Sequence, residues 1–178
     1  MNNFDEQLKT TQDLQQKFCA KIDSMIPVDW SHLAFYGEIL DTSRIACFYF
    51  QEENKNDWIY SVDIPKVYNV DQSIYDRLVK ELYEILADYR QAYKQIHNDI
   101  WSIMKFQWTR NGKFELSFKY IDILSLETDF PDRVMAWEYI TLKKIPSSDF
   151  ERKCVIQALS EEKDQTWLQR FKKDIAQI

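Results

Sequence analysis

After Asp71 the chain carries the run QSIYDRLVKELYEILADYRQAYKQI, and no other stretch restricts the fold as much. Ile74, Tyr75, Leu78, Leu82, Ile85, Leu86, Tyr89 and Tyr93 recur three or four residues apart, which predicts a long amphipathic helix with one broad apolar stripe. Asp71 is placed as its N-cap, with a carboxylate able to accept from the free amides of the first turn.

The neighbouring segments predict what this helix packs on. Phe4, Leu8, Leu14, Phe18, Ile22 and Met25 give a first helix over about residues 4 to 25, ended by Pro27. HLAFYGEILD and RIACFYF, parted by the turn-like DTS, read as two antiparallel strands, and WIYSV as a short third. Asn111 and Gly112 separate WSIMKFQWTR from KFELSFKYIDI, the mark of a β-hairpin. In its second arm Phe114, Leu116, Phe118 and Tyr120 face one way and Lys113, Glu115, Ser117 and Lys119 the other. Pro131 opens a shorter helix that Pro146 ends, Ser148 and Glu151 form a capping box, and KDQTWLQRFKKDIAQI continues that helix or folds back. The expectation is one α+β domain over 1–178, with a mainly antiparallel sheet of about five strands and a helical C-terminal part over about 131–178.

Composition then narrows the function. With Gly37 and Gly112 the only glycines, no phosphate-cradling GxGxxG or GxxxxGK loop can be written. Cys19, Cys47 and Cys154 are odd in number and widely spaced, so they read as buried thiols, not a disulfide framework or a metal knuckle. No apolar run reaches a membrane span, and the polar start MNNFDEQLKTTQDLQQ lacks a signal peptide's order, which places the protein in the cytoplasm with no membrane partner. The net charge of −6 is uneven: residues 1–71 hold twelve acids and six bases, whereas residues 101–178 hold twelve and thirteen. An acidic surface opposes direct nucleic-acid binding and favours a basic protein partner.

Candidate chemistry is sparse. His32 and His97 are the only imidazoles, one at a strand entrance and one at a helix end, and each reads as structural. The adjacent pairs Glu52–Glu53 and Glu161–Glu162 read as solvated surface, because nothing forces their pKa values apart. The aromatic residues alternating with lysine read as one face of a core before they read as a base-stacking platform.

MIPVDW, YSVDIPKVYNV, NGKFELSFKYID and WEYITLKKIP follow one another along nearly the entire chain. In that order they resemble the YezG-like family of bacterial immunity proteins, and within it the nuclease-neutralising antitoxins linked to Gram-positive type VII secretion. The positions that carry the likeness are Met25, Ile26, Pro27, Trp30, Tyr60, Asp63, Ile64, Pro65, Tyr68, Asn69, Gly112, Phe118, Tyr120, Asp122, Trp137, Glu138, Tyr139 and Pro146. Lys143 stands where the pattern expects a glycine, so the turn before Pro146 differs or the helix runs on. DTSR replaces a glycine-bearing turn. The resemblance implies a cytoplasmic inhibitor that binds a cognate secreted toxin, a nuclease in many cases, with no catalysis, cofactor or metal.

The acidic first part supplies the expected contacts: Asp41, Glu52, Glu53 and Asp57 in hairpin turns, Trp58 as a nearby anchor, and Asp63. The stretch YSVDIPKVYNV reads as a rigid strand-to-helix joint, in which Pro65 biases Ile64 toward extended backbone, Ile64 and Val67 pack, and Asp63 bonds its own loop. Direct toxin contact through Asp63, Tyr60 or Tyr68 is the alternative use of that stretch. A homodimer stays open. The competing functions are a scaffold or regulatory module acting through Trp167 and Phe171, and, third, a hydrolase without a familiar motif.

Overall fold

A computed structural model describes residues 3–178; the first two residues of the polar start lie outside it. The chain falls into two compact units, one ending at Tyr120 and the other spanning Ile121–Ile178.

The first unit runs α1 (Asn3–Met25), β1 (Trp30–Ile39), β2 (Arg44–Glu52), β3 (Trp58–Tyr60), a 3-10 turn (Ser61–Asp63), α2 (Ile64–Tyr68), α3 (Gln72–His97), β4 (Ile103–Thr109) and β5 (Phe114–Lys119). The five strands form one antiparallel sheet in the order β3-β2-β1-β4-β5. Leu33 and Phe35 of β1 pair with Phe50 and Phe48 on one side and Trp108 and Phe106 on the other, so one sheet face is apolar across its width. Onto it pack Phe18, Ile22 and Met25 of α1 and Tyr75, Leu82, Leu86 and Tyr89 of α3. Phe35 stacks on Phe106 at 4.7 Å between ring centroids, and Phe18 meets the edge of Tyr89 at 5.2 Å.

The Asp71 carboxylate accepts from Ile74 N–H at 3.1 Å, as the spacing predicts. Ile74 itself is exposed, off the face that its neighbour Tyr75 buries against the sheet. Arg90 is buried inside the stripe, where its guanidinium donates to Trp101 O at 2.8 Å and to Asp41 at 2.5 Å. One cation therefore ties α3 to the β1–β2 turn and to the lead-in of β4.

The joint after β3 differs from the extended segment expected. Ser61 leaves the ladder: its Oγ accepts from Phe48 N–H at 3.1 Å and its carbonyl accepts the Tyr75 hydroxyl at 2.8 Å, which shortens β3 to three residues. Ile64 is helical, at φ −50° and ψ −49°, and its side chain is fully buried. Core burial outweighs the bias that Pro65 imposes on its predecessor, and Pro65 sits in the first turn of α2, where its missing N–H costs nothing. Val67 points to solvent, and the Asp63 side chain caps nothing in its own loop. Asn69 ends α2 in the left-handed conformation, at φ 54°.

The β4–β5 turn is a three-residue loop. Gly112 N–H donates to Thr109 O and Thr109 N–H to Lys113 O, each at 2.9 Å, and Gly112 takes φ +93°. That is a type I turn followed by a left-handed glycine, since a two-residue Asn-Gly turn would need positive φ at Asn111 as well.

The second unit holds a 3-10 turn (Ile123–Ser125), α4 (Phe130–Leu142), α5 (Asp149–Glu161) and α6 (Gln165–Ile175), so the final segment forms its own helix. The Ser148–Glu151 capping box is present, and Asp129 with Asp132 forms a second at the start of α4. Ala136, Tyr139, Val155, Ala158, Leu159, Leu168 and Phe171 make the core. Lys143 takes the glycine conformation itself, at φ 60°, and α4 stops at Leu142. Its ammonium donates to Ile140 O at 2.5 Å and lies 4.5 Å from the Trp167 ring centroid, contacts that offset the backbone strain. Glu161 is not merely solvated surface, because its carboxylate accepts from the backbone N–H groups of Glu127 at 3.1 Å and Thr128 at 3.2 Å. Burial pushes its pKa up, but hydrogen bonds from Thr128 outweigh that and hold it below the ordinary carboxylate value.

Two sets of variants test this packing. A Cβ at Gly37 would lie 2.9 Å from the Phe35 ring and 3.2 Å from Ala46 Cβ, so Gly37→Ala lowers unfolding stability by about 1–3 kcal/mol through overpacking. Nothing crowds Gly112, and Gly112→Ala costs about 1–2 kcal/mol through its dihedral alone. Gly112→Asn therefore recovers part of that loss in denaturant titrations, while no residue larger than glycine fits at 37. Glu161→Gln costs about 1–2 kcal/mol at neutral pH. A lowered carboxylate pKa stabilises above the unfolded value, so the difference from wild type shrinks as pH falls through the native pKa.

Candidate functional site

Alternating strand directions bring the start of β1, the end of β2, the start of β3 and the β4–β5 turn to one end of the sheet. The last turn of α1 arrives there too, because Asp23 accepts from the Trp30 indole at 2.8 Å and from Arg110 at 2.6 Å. This end carries Asp23, Asp29, Glu52, Glu53 and Asp57 against Lys55, Arg110 and Lys113. Asp29, Glu53 and Asp57 are exposed, and the Glu53 N–H donates to Asp29 O at 2.9 Å, joining the β2–β3 loop to the start of β1. A polar hollow of about 380 Å³ opens beside Asp23, Pro27, Asp29 and Arg110.

The residues singled out from the sequence divide between this end and other places. Glu53 and Asp57 lie in the β2–β3 loop with open carboxylates, and Trp58, half-buried, begins β3 opposite Gln51. Glu52 is engaged: it pairs with Lys55 and accepts the Tyr68 hydroxyl at 2.5 Å. The Lys55 contact, then the Tyr68 contact, holds its pKa below the usual value, while burial and Glu52 push the Tyr68 phenol up. Glu52 thus fastens α2 to the sheet. Asp41 sits at the far end of β2, nine residues or roughly 30 Å away at ~3.3 Å per residue, with its charge met by Arg90. Asp63 is exposed just past β3.

Asp23 and Arg110 were not picked out by sequence reasoning, although Arg110 flanks the Asn-Gly turn. Arg110 folds back so that its guanidinium lies 4.2 Å from the Trp30 ring centroid, and Trp30 meets the edge of Trp108 at 4.7 Å. A single carboxylate therefore locks α1, β1 and the hairpin tip beneath the acidic rim. Among the described residues no group of His, Cys, Asp or Glu is placed to hold a metal ion, and no helix is long and apolar enough to cross a membrane. His32 stands beside Ser31, whereas His97 stacks on Tyr93 at 4.0 Å between centroids. Of the three thiols only Cys47 is buried, and burial pushes half-buried Cys19 up to about 12. Phe171, expected in one alternative as a docking residue, is fully buried in the second unit's core.

Most pattern positions now have a physical duty. Pro27 closes α1, Tyr60 stacks on Tyr49 at 4.7 Å, and the Tyr120 hydroxyl meets that of Tyr93 at 2.8 Å. Asp122 caps the second 3-10 turn, and Trp137, Glu138 and Tyr139 are buried in α4. Asp23→Ala orphans the buried Trp30 indole and lowers stability by about 1–3 kcal/mol, with a change in tryptophan fluorescence. Arg110→Ala, which removes a partner that water replaces, costs less in the same titration.

Residues 11–156 match the family described as "Immunity protein YezG-like". The immunity protein YezG of Bacillus subtilis is 35% identical over 148 residues, covering 83% of this chain and 98% of that protein. YezG of Bacillus spizizenii is 34% identical over 134 residues, 75% of this chain and 83% of its own. The type VII secretion system protein EsaG of Staphylococcus aureus is 28% identical over 148 residues, covering 83% and 89%. With a match that takes in the acidic rim, the joint around Pro65 and α4 alike, the chain belongs to the YezG-like family of immunity proteins.

Proposed function

We propose that this protein neutralises a secreted toxin of the producing cell or its kin, a nuclease, by forming a stoichiometric complex in the cytoplasm. The observation that carries this reading is the match to a protein named as an immunity protein along 98% of that protein's length. An immunity protein inhibits by occupation and not by catalysis. The name of the staphylococcal relative supports a link to type VII secretion. The family match crosses from the first compact unit into the second, which favours treating 1–178 as one functional domain.

The acidic end of the sheet is the surface we assign to the toxin. A nuclease cleft is basic because it holds phosphate, and a rim carrying Asp29, Glu53 and Asp57 approaches it with complementary charge. Trp58 offers the aromatic anchor that such interfaces favour. Glu52, bound to Lys55 and Tyr68, holds the scaffold behind that rim, whereas Asp41, bound to Arg90, lies at the opposite end of the sheet.

The test is association kinetics with the cognate toxin domain. Glu53→Lys with Asp57→Lys lowers the association rate about 10-fold or more at low salt and flattens its salt dependence, with melting temperature unchanged. Glu84→Lys with Asp88→Lys, an equal charge change on the exposed side of α3, leaves the rate near wild type. Equal loss from both would contradict the assignment of this surface, and absence of any complex would contradict the function.

A further inference from the structure

Between α3 and the sheet the aromatic layer is interrupted. Ala46 pairs with Gly37 across β1 and β2, so two residues without bulk lie side by side on a face that otherwise carries Phe35, Phe48, Phe50 and Phe106. Tyr83 reaches across from α3 to this gap: its hydroxyl accepts from Ala46 N–H at 3.2 Å and donates to Ala46 O at 3.4 Å. A cavity of about 210 Å³ remains, walled by Phe35, Ala46, Phe48, Val79, Leu82 and Tyr83. Protein interiors pack closely enough that few voids exceed a water molecule, whose share of liquid volume is about 30 Å³.

The polar groups of the wall are spent on one another. Ser61 Oγ accepts from Phe48 N–H at 3.1 Å, the Ser61 carbonyl accepts the Tyr75 hydroxyl at 2.8 Å, and Tyr83 is engaged with Ala46. Gln72 and Asp76, exposed at the mouth beside Val62, bond to each other at 2.8 Å. A buried water needs two to four polar partners, and the groups that line this space are already committed.

We propose that this cavity is a binding site for a small, uncharged, apolar molecule about the size of one aromatic ring. An apolar cavity of about 150 Å³ stays dry and takes up benzene, so the larger space here accommodates a ring with a methyl-sized substituent. The Asp76 carboxylate at the mouth repels an anion, and a polar substituent would give up its water without gaining a bond inside. Every residue lining the cavity belongs to the first compact unit, and the inference does not rest on the toxin reading.

Toluene is the probe. Isothermal titration of the full chain with toluene gives saturable one-to-one binding, and melting temperature rises with probe concentration. Phenol, of similar shape, binds at least about 10-fold more weakly, because its hydroxyl enters without a partner. Ala46→Leu from the sheet side and Val79→Phe from α3 fill the same space, and each weakens toluene binding at least about 10-fold while circular dichroism shows the fold retained. Absence of saturable binding would overturn the proposal, as would undiminished binding by both filled variants, which would put the probe elsewhere. Phenol binding as tightly as toluene would overturn the apolar class. Toluene failing to bind while Val79→Phe weakens the complex with the cognate toxin domain would give the cavity to a partner's side chain, and the proposal would fall.

Discussion

The aromatic layer between the sheet and helices α1 and α3 is what everything else in the first unit depends on. Phe35 and Phe106 stack across β1 and β4, Phe18 bridges to Tyr89, and the strands hold one register because any slip would expose these rings. Once that face is buried, strand direction decides which turns meet. The β2–β3 loop must then lie beside the start of β1, and the β1–β2 turn must lie at the other end. Surface charge inherits this geometry: open carboxylates gather where Glu53 and Asp57 are, and Asp41 is left far from them.

Charge within this frame is of two kinds. Arg90 with Asp41, Asp23 with Trp30 and Arg110, and Glu52 with Tyr68 and Lys55 are pairs that hold one element against another. Asp29, Glu53 and Asp57 are exposed and held in place by those pairs without being consumed by them. Total charge does not separate the two kinds, but hydrogen bonding does. The distinction matters for an inhibitor, because a group already paired has little left to offer an incoming cation.

Much of the fold was legible in the sequence because its signals are local. The α3 stripe, the Asp71 cap, the Asn-Gly hairpin and the Ser148–Glu151 box each depend on residues within a few positions of one another. The misreadings came where a distant residue decides. Ile64 is helical because the core claims its side chain, and β3 stops at Ser61 because Phe48 and Tyr75 take its polar groups. Lys143 keeps the glycine geometry of its turn because Trp167, far along the chain, takes its ammonium. Of the candidate site, the β2–β3 loop acids were readable from polarity. The contribution of Asp23 and Asp29 was not, since it requires knowing that α1 ends beside that loop.

The central claim is that this protein inhibits by binding, and the most direct measurement is a titration, with purified protein, of the DNA cleavage that the proposed nuclease toxin would catalyse. The account predicts a linear loss of cleavage that ends at equivalence, with the two proteins co-eluting as a complex. Cleavage that persists at molar excess, with no complex formed, would contradict it.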